Sequence, residues 1–286
     1  MAIYNGYLSK AAAKRDLVAA GFTFSTVLGL PESNPKLVKG KKLNVLSCPH
    51  NLSPANESGW NLCAQASAGC IAACLHTAGN PIHLENKIQA RLARTRAFMT
   101  MRKAYMAVLC FELESLEIKA NRLGYVPAWR PNTTSDFPFH TVAITANGKS
   151  YKSPIHYFEG IQAYDYTKIT KKALQHAAGL LPDNYHITFS KSESNWEDCL
   201  RVLESGGNVA AVFDKLPESY MGFKVINGDE SDVRFYDESG VIVGLKAKGR
   251  AKRDESGFTI LTANKKESAM INALASTGFK KESANV

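Results

Sequence analysis

No apolar run in this chain reaches the roughly 18 residues that a membrane-crossing helix needs. The opening MAIYNGYLSK lacks the apolar core of a secretory leader. Together these absences predict no membrane partner and a cytoplasmic location, where thiols stay reduced and disulfides are uncommon. No internal repeat and no long linker interrupts the sequence. Acidic side chains are the scarcer charge: 26 Asp and Glu stand against 35 Lys and Arg, a net +9. A basic surplus of this size points to an acidic partner, with nucleic acid the first candidate, although solubility alone would also account for it.

Cysteine is sparse but unevenly placed. Four of the six fall within one stretch as Cys48, Cys63, Cys70 and Cys74, spaced C-x14-C-x6-C-x3-C, while Cys110 and Cys199 stand apart. Clustered thiols in a reducing compartment suit a metal, because one ion must gather soft ligands at about 2.3 Å. The spacing contains no C-x2-C pair, so no zinc ribbon or finger is matched. Zinc and a [4Fe–4S] cluster both remain open as the cofactor. His50 and His76 lie beside the cluster and are alternatives for one of the four positions. The competing explanation is ordinary burial of free cysteine.

Within the first 124 residues, KAAAKRDLVAAG reads as a helix stopped at Gly21, and Leu43–Leu46 as a strand that delivers Cys48. Cys70 and Cys74 sit one turn apart in a short small-residue helix. Residues 82–122 form the longest helical pattern, with Lys87, Arg91, Arg94, Arg96, Arg102 and Lys103 along its first half. Such a basic stripe is either a solvated face or a phosphate-facing one, with Arg91 and Arg94 the residues of interest.

Residues 125–263 change rhythm. Strand-like runs in YVPAWRPNTTSD, IQAYDYTK, YHITFSKSES, NVAAVFDK, FKVINGDESD and VIVGLKAKG alternate with helical segments at Ile169–Ala178 and Trp196–Glu204. This predicts parallel β/α units, whose working residues gather at the C-terminal ends of the strands. There is too little helix for a full eight-stranded barrel. The expected fold is therefore α/β, a partial or irregular (β/α) barrel with an N-terminal cysteine-rich metal-binding insertion and a long helical segment. It is read as one integrated unit of residues 1–124 and 125–263, followed by a frayed tail at 264–286.

The strand ends supply the remaining candidates. Asp229 and Asp232 straddle Ser231 before Arg234, so paired carboxylates could act as nucleophile and base or hold an ion, against the plainer alternative of a Gly–Asp turn. Asp136 ends another strand, and Lys168 follows an aromatic run where a lysine binds an anion or, desolvated, attacks an electrophile. Lys246, Lys248, Arg250, Lys252 and Arg253 place five cations in eight residues. Arg130, Lys246, Lys248, Arg250, Arg91 and Arg94 are the expected nucleic-acid contacts, and Asp136, Asp229, Asp232 and Lys168 the expected catalytic groups.

SCP at Cys48, the GC-IAAC-L-HTAGN block, R-ARTRAF, the R-N-TSD strand end, YDYTK, NYHITFS and VINGDESDVRF leading to VGLKAKG occur here in that order between Leu43 and Phe258. In this series the chain resembles the gene product 88-like family of bacteriophages and mobile elements. The resemblance implies a phage origin, a β/α-barrel-like fold with an attached cysteine site, and Cys48, Cys63, Cys70 and Cys74 as candidate ligands. It implies no reaction. Radical-SAM barrels are similar more loosely, but Thr77 stands where their third cysteine would be. Guanine transglycosylases share the barrel, zinc, aspartates and basic surface, but their zinc cysteines come late in the chain. Two functions therefore stay open: a metal-containing enzyme acting on nucleic acid or its bases, and a non-catalytic zinc-stabilised protein that binds nucleic acid or a host protein. The sequence leaves the oligomeric state unspecified.

Overall fold

The computed structural model describes residues 2–33, 35–74 and 85–262. The expectations placed on His76, Thr77 and the 264–286 tail lie outside these. Among the described residues, no helix is long and apolar enough to cross a membrane.

The chain opens with helix α1 (Lys10–Ala19), whose start is capped by Ser9 Oγ accepting the Ala12 N–H, followed by α2 (Pro35–Gly40). Strand β1 (Val45–Pro49) leads to the short helix α3 (Ala68–Ala72). The long helical pattern resolves into two helices, α4 (Glu85–Thr100) and α5 (Arg102–Arg122), broken at Met101, whose φ and ψ of −121° and 41° leave the helical region. Then come β2 (Val126–Arg130), the hairpin β3 (Ile144–Ala146) and β4 (Lys149–Tyr151), and α6 (Pro154–Tyr157). Next are β5 (Gln162–Thr167), α7 (Thr170–Ala177), β6 (Tyr185–Ser190), α8 (Trp196–Glu204) and β7 (Asn208–Phe213). Strands β8 (Ser219–Tyr220), β9 (Phe223–Asn227), β10 (Ile242–Lys246) and β11 (Thr259–Ile260) end the described chain.

The main sheet runs in the order β1-β2-β5-β6-β7-β10-β9-β8, with β11 added beside the C-terminal half of β7. Every pairing in it is parallel except β8 with β9. From β1 to β10 the strands follow chain order, so right-handed crossovers put successive helices on one face. Helix α5 lies on β1 and β2, α7 on β5 and β6, and α8 on β6 and β7. That is the winding of a barrel wall, but the sheet is open. Where a partial or irregular barrel was expected, the described residues form an open, mostly parallel sheet whose winding stops after β10, with the antiparallel β8–β9 hairpin at the far edge.

Alternate residues of the central strands serve two cores. Leu46, Trp129, Ala163, Tyr185, Ile187, Phe189, Val209 and Phe213 join Phe98, Tyr105 and Leu109 of the helices in the main one. On the opposite face Val45, Ala128 and Tyr164 meet Leu37, Val233 and Phe235. Strands buried on both faces read as continuous apolar runs, which is why VLSCP is buried throughout. The first 124 residues therefore supply an edge strand and the longest of the described helices to the same core as the rest.

Three histidines, His50 fully buried and His140 and His186 half-buried, give this core an acid limit. Burial pushes His50 down to about 3, His140 down to about 4 and His186 down to about 3. Each is neutral in the fold and protonated in the unfolded chain below about pH 6.5, so its contribution is complete above that pH and is lost as pH falls toward those values. Asp237, pushed up to about 6 by burial, acts oppositely and offsets one of the three. The urea midpoint is expected to drop steadily between pH 6.5 and 4, and His50→Gln should flatten that slope. A midpoint unchanged from pH 7 to 5 would show that these rings are not held neutral.

Candidate functional site

The loop after β1 reaches across the C-terminal ends of the parallel strands. Its first cysteine is anchored at the end of β2. The Asp136 N–H donates to the Leu62 carbonyl at 2.8 Å, Ala55 N–H to Cys63 Sγ at 3.4 Å, and the Cys63 thiol points to the Thr134 carbonyl at 3.9 Å. Helix α3 is held at the end of β6. Glu193 accepts the Ser67 hydroxyl at 2.6 Å and the Gly69 N–H at 2.8 Å, while Ser67 Oγ also accepts the Cys70 N–H at 3.2 Å. A Cβ on Gly69 would lie 2.4 Å from Ser256 Oγ and 2.9 Å from Glu193 Oε2, so an alanine there would push the clamping Glu193 and Ser256 side chains aside. Beyond α3, Ala73 packs with Ala247 and Ala251, which follow β10.

Cys63, Cys70 and Cys74 share one electrostatic neighbourhood. Burial pushes the Cys63 thiol up to about 11, the Ala55 N–H pulls it back, and the neighbouring Cys74, Asp136 and Cys70 add to the rise. Cys74 and Glu57 in turn favour the charged guanidinium of Arg91, against the burial that lowers it. Cys48 is elsewhere. It packs in the main core, burial pushes its thiol up to about 12, and the charges that act on it are Lys119, Glu32 and Glu112. His50 is excluded as a spare ligand, because both ring nitrogens are engaged: Nε2 with the Tyr105 hydroxyl at 2.7 Å and Nδ1 with the Pro131 carbonyl at 3.1 Å. Among the described residues no three His, Cys, Asp or Glu side chains are drawn up at ligand separation.

Beside the cysteine loop lies a second group, joined across β2, β5 and α7. Asp136 accepts the Thr167 hydroxyl at 2.8 Å and the Lys168 N–H at 2.8 Å, so these two expected catalytic residues do meet. Lys168 Nζ lies 5.4 Å from the Phe258 ring centre. Asp165, fully buried, accepts the Asn132 N–H, the Asn132 side-chain amide and the Tyr185 hydroxyl at 2.7–2.9 Å. Burial raises its carboxyl, against the pull of Lys172, Tyr185 and Asn132. Lys172 Nζ, also buried, stands 3.8 Å from both Asp136 and Asp165 and has no hydrogen-bond partner among the described residues. Sequence reasoning passed over Lys172, Tyr185 and Glu193. No local signal in the sequence marks these residues, because their role comes from burial and from partners elsewhere along the chain.

The remaining candidates are dispersed. Asp232 and Arg130 pair at 2.6 Å with 2 % and 7 % of their side chains exposed. A guanidinium so enclosed cannot reach the backbone of a nucleic-acid chain, so the contact expected of Arg130 gives way to an internal ion pair. Asp232 is likewise held as that pair's anion. Asp229 accepts the Lys246 N–H at 3.0 Å and the Lys248 ammonium at 2.7 Å, fixing the basic segment at the end of β10. The two acids expected to cooperate therefore serve different cations. Lys246, Lys248 and Arg250 are exposed. Arg94 donates through Nε to the Thr26 carbonyl at 2.8 Å and lies over Phe24, which ties α4 to the N-terminal segment.

Two tests follow from this geometry. Gly69→Ala and Glu193→Gln should release the cysteine loop, raising the alkylation rate of Cys63, Cys70 and Cys74 in the native protein while Cys48 stays protected. Equal rates in variant and parent would mean the clamp does not position the loop. Asp232→Ala leaves a buried guanidinium without its counter-charge, and about 3–5 kcal/mol of stability should be lost in chemical denaturation.

The family described as Gene product 88 matches residues 25–261, a span that contains every site residue named above. No curated protein matches the chain, and no solved structure matches it.

Proposed function

Because the chain belongs to the Gene product 88 family, a membership that names no reaction, we propose a function from the site: a phage-type metal-containing enzyme acting on nucleic acid or its bases. One observation carries this proposal. The loop bearing Cys63, Cys70 and Cys74 lies over the C-terminal strand ends, between the Asp136–Lys168 group and the basic segment Lys246–Arg253. In parallel α/β sheets that edge is where ligands bind and chemistry is done.

Three thiols would hold a zinc ion or a [4Fe–4S] cluster and leave one metal position without a protein ligand, as catalytic rather than structural sites do. Such a group would supply a Lewis acid or an electron. The protein's own residues do the rest. Asp136, oriented by Thr167 and the Lys168 N–H, accepts or returns a proton at its carboxylate. Lys172 stands between Asp136 and Asp165 and favours the ionised form of Asp165 against the burial that raises its carboxyl. Lys246, Lys248 and Arg250 attract the phosphates of the substrate. A second reading, a non-catalytic nucleic-acid-binding or host-takeover protein, draws on the engagement of Asp229 and Asp232 by cations, which removes them from chemistry.

Metal content and an optical spectrum of protein purified without oxygen test the first reading. Roughly four iron with absorption near 400 nm, or about one zinc, is expected per chain. Ser at Cys63, Cys70 or Cys74 should abolish loading, and Cys48→Ser should not. A parent protein with neither metal, even after anaerobic reconstitution with iron and sulfide or with zinc, would overturn it. For the nucleic-acid component, Lys248→Glu with Arg250→Glu should weaken oligonucleotide binding and reduce the salt slope by about 2. Binding that Asp136→Asn leaves intact while no turnover is ever detected would favour the second reading.

A further inference from the structure

The face of the sheet opposite the helices carries a buried polar cluster that neither the cysteine site nor the Asp136 group uses. Arg130 leaves β2 on this face, Tyr166 leaves β5, and His186 and Thr188 leave β6, with Tyr166 and Thr188 direct neighbours in register. The segment between β9 and β10 closes over them with Asp232, with Arg234, which opens a 3-10 turn at Arg234–Tyr236 that packs on β6, and with Asp237, which follows it. The Arg130 guanidinium lies 4.9 Å from the Tyr166 ring centre. Tyr166 feels the charges of Asp232, Arg234, Arg130 and Asp237 together, and His186 feels those of His176, whose ring lies 4.8 Å from its own, and of Arg234. These residues therefore occupy one neighbourhood.

What sets the cluster apart is its unmet hydrogen bonding. Arg130 Nε, Arg234 Nε, the Tyr166 hydroxyl, the Thr188 hydroxyl and His186 Nε2 are all buried atoms with no partner among the described residues. Arg130, Arg234 and Thr188 are 6 %, 2 % and 0 % exposed. Two further atoms, Arg234 Nη1 and Asp237 Oδ2, face each other at 3.2 Å as an ion pair without hydrogen-bond alignment. A buried polar atom left without a hydrogen bond is destabilising, so five in one place call for a common explanation. Their chemistry is one-sided. The two guanidinium Nε atoms can only donate, and the two hydroxyls and the neutral imidazole can each donate. The one obligate acceptor beside them that lacks a hydrogen bond among the described residues, Asp237 Oδ2, is already faced by Arg234 Nη1, which leaves the five donors without an acceptor of their own.

We propose that this cluster is a binding site for a small oxyanion, a phosphate or a carboxylate group, received by Arg130, Arg234, Tyr166 and Thr188 behind the sheet. An acceptor-rich group satisfies donors that the protein itself leaves open, and charge-assisted bonds from two guanidinium groups favour an anion over water. Tyr166 and His186 are only half-buried, which gives the site a route to solvent. The expectation that Arg130 contacts phosphate thus takes a different form, a small enclosed anion in place of a nucleic-acid backbone. The site is independent of the proposed metal and is tested without reference to it.

The experiment is thermal unfolding of the full chain at constant ionic strength, titrated with inorganic phosphate, with succinate, and with chloride as the comparison anion. A saturable rise in Tm with phosphate or succinate but not with chloride is expected, because a ligand bound only by the folded state stabilises it. Whichever of the two acts identifies the oxyanion. Thr188→Val and Tyr166→Phe are near-isosteric and remove only unpartnered hydroxyls, so they should fold and raise the half-saturating concentration by roughly tenfold each. A rise equal in chloride, no rise with either oxyanion, or a titration unchanged in both variants would overturn the site and leave solvent as its occupant.

Discussion

A strand that pairs in parallel must send its chain out at the same edge as its neighbour, and seven consecutive neighbours here do so. That single geometric constraint gathers the loops after β1, β2, β5, β6, β7 and β10 at one rim. Residues as distant as Cys63, Asp136, Lys168, Glu193 and Lys248 meet there without any one segment encoding the meeting. The rim is then knitted laterally: Leu62 to Asp136, Ser67 and Gly69 to Glu193, Ala73 to Ala247. The cysteine loop is thus a crosspiece laid over several strand ends.

The two faces of the sheet solve opposite problems. Toward the helices, aromatic and aliphatic side chains interlock, with Phe98 against Tyr105 and Phe139, and Trp129 and His50 edge-on to Phe139. Away from them, a short α2 and one 3-10 turn offer too little apolar surface to cover the central strands. Polar groups fill that shortfall, and buried charge is tolerable only in pairs. Arg130 with Asp232 and Arg234 with Asp237 meet that condition. The winding that leaves the barrel open is also what exposes this face to solution of its polarity by ions.

Much of this architecture was legible in the sequence. Six strand-like runs became β2, β5, β6, β7, β9 and β10, and the helix at Trp196–Glu204 has those bounds in the structure. Apolar runs and glycine stops are local signals, and local signals carry to the fold. The break at Met101 was hidden, since apolar residues continue at helical spacing through it. The site was less legible because burial and partnership are not local. Nothing in SCP tells Cys48 from Cys63; the difference is that β1 points Cys48 into the main core. Asp229 and Asp232 look alike in sequence, yet three residues of turn send one to the rim and the other behind the sheet. Closure of the barrel is a property of the whole winding, beyond the reach of any segment.

The distribution of cations follows from the same winding. Arg130 and Arg234 are enclosed and matched by acids, so they contribute nothing to long-range attraction. Lys246 and Arg250 project at the rim beside the cysteine loop, where field lines reach solvent. An anionic polymer approaching the chain would therefore meet the exposed cations of the rim before the enclosed ones. If both sites are used, they differ in what they admit: the rim selects by charge and accepts length, whereas the enclosed cluster selects by size and by the number of hydrogen bonds its guest can accept.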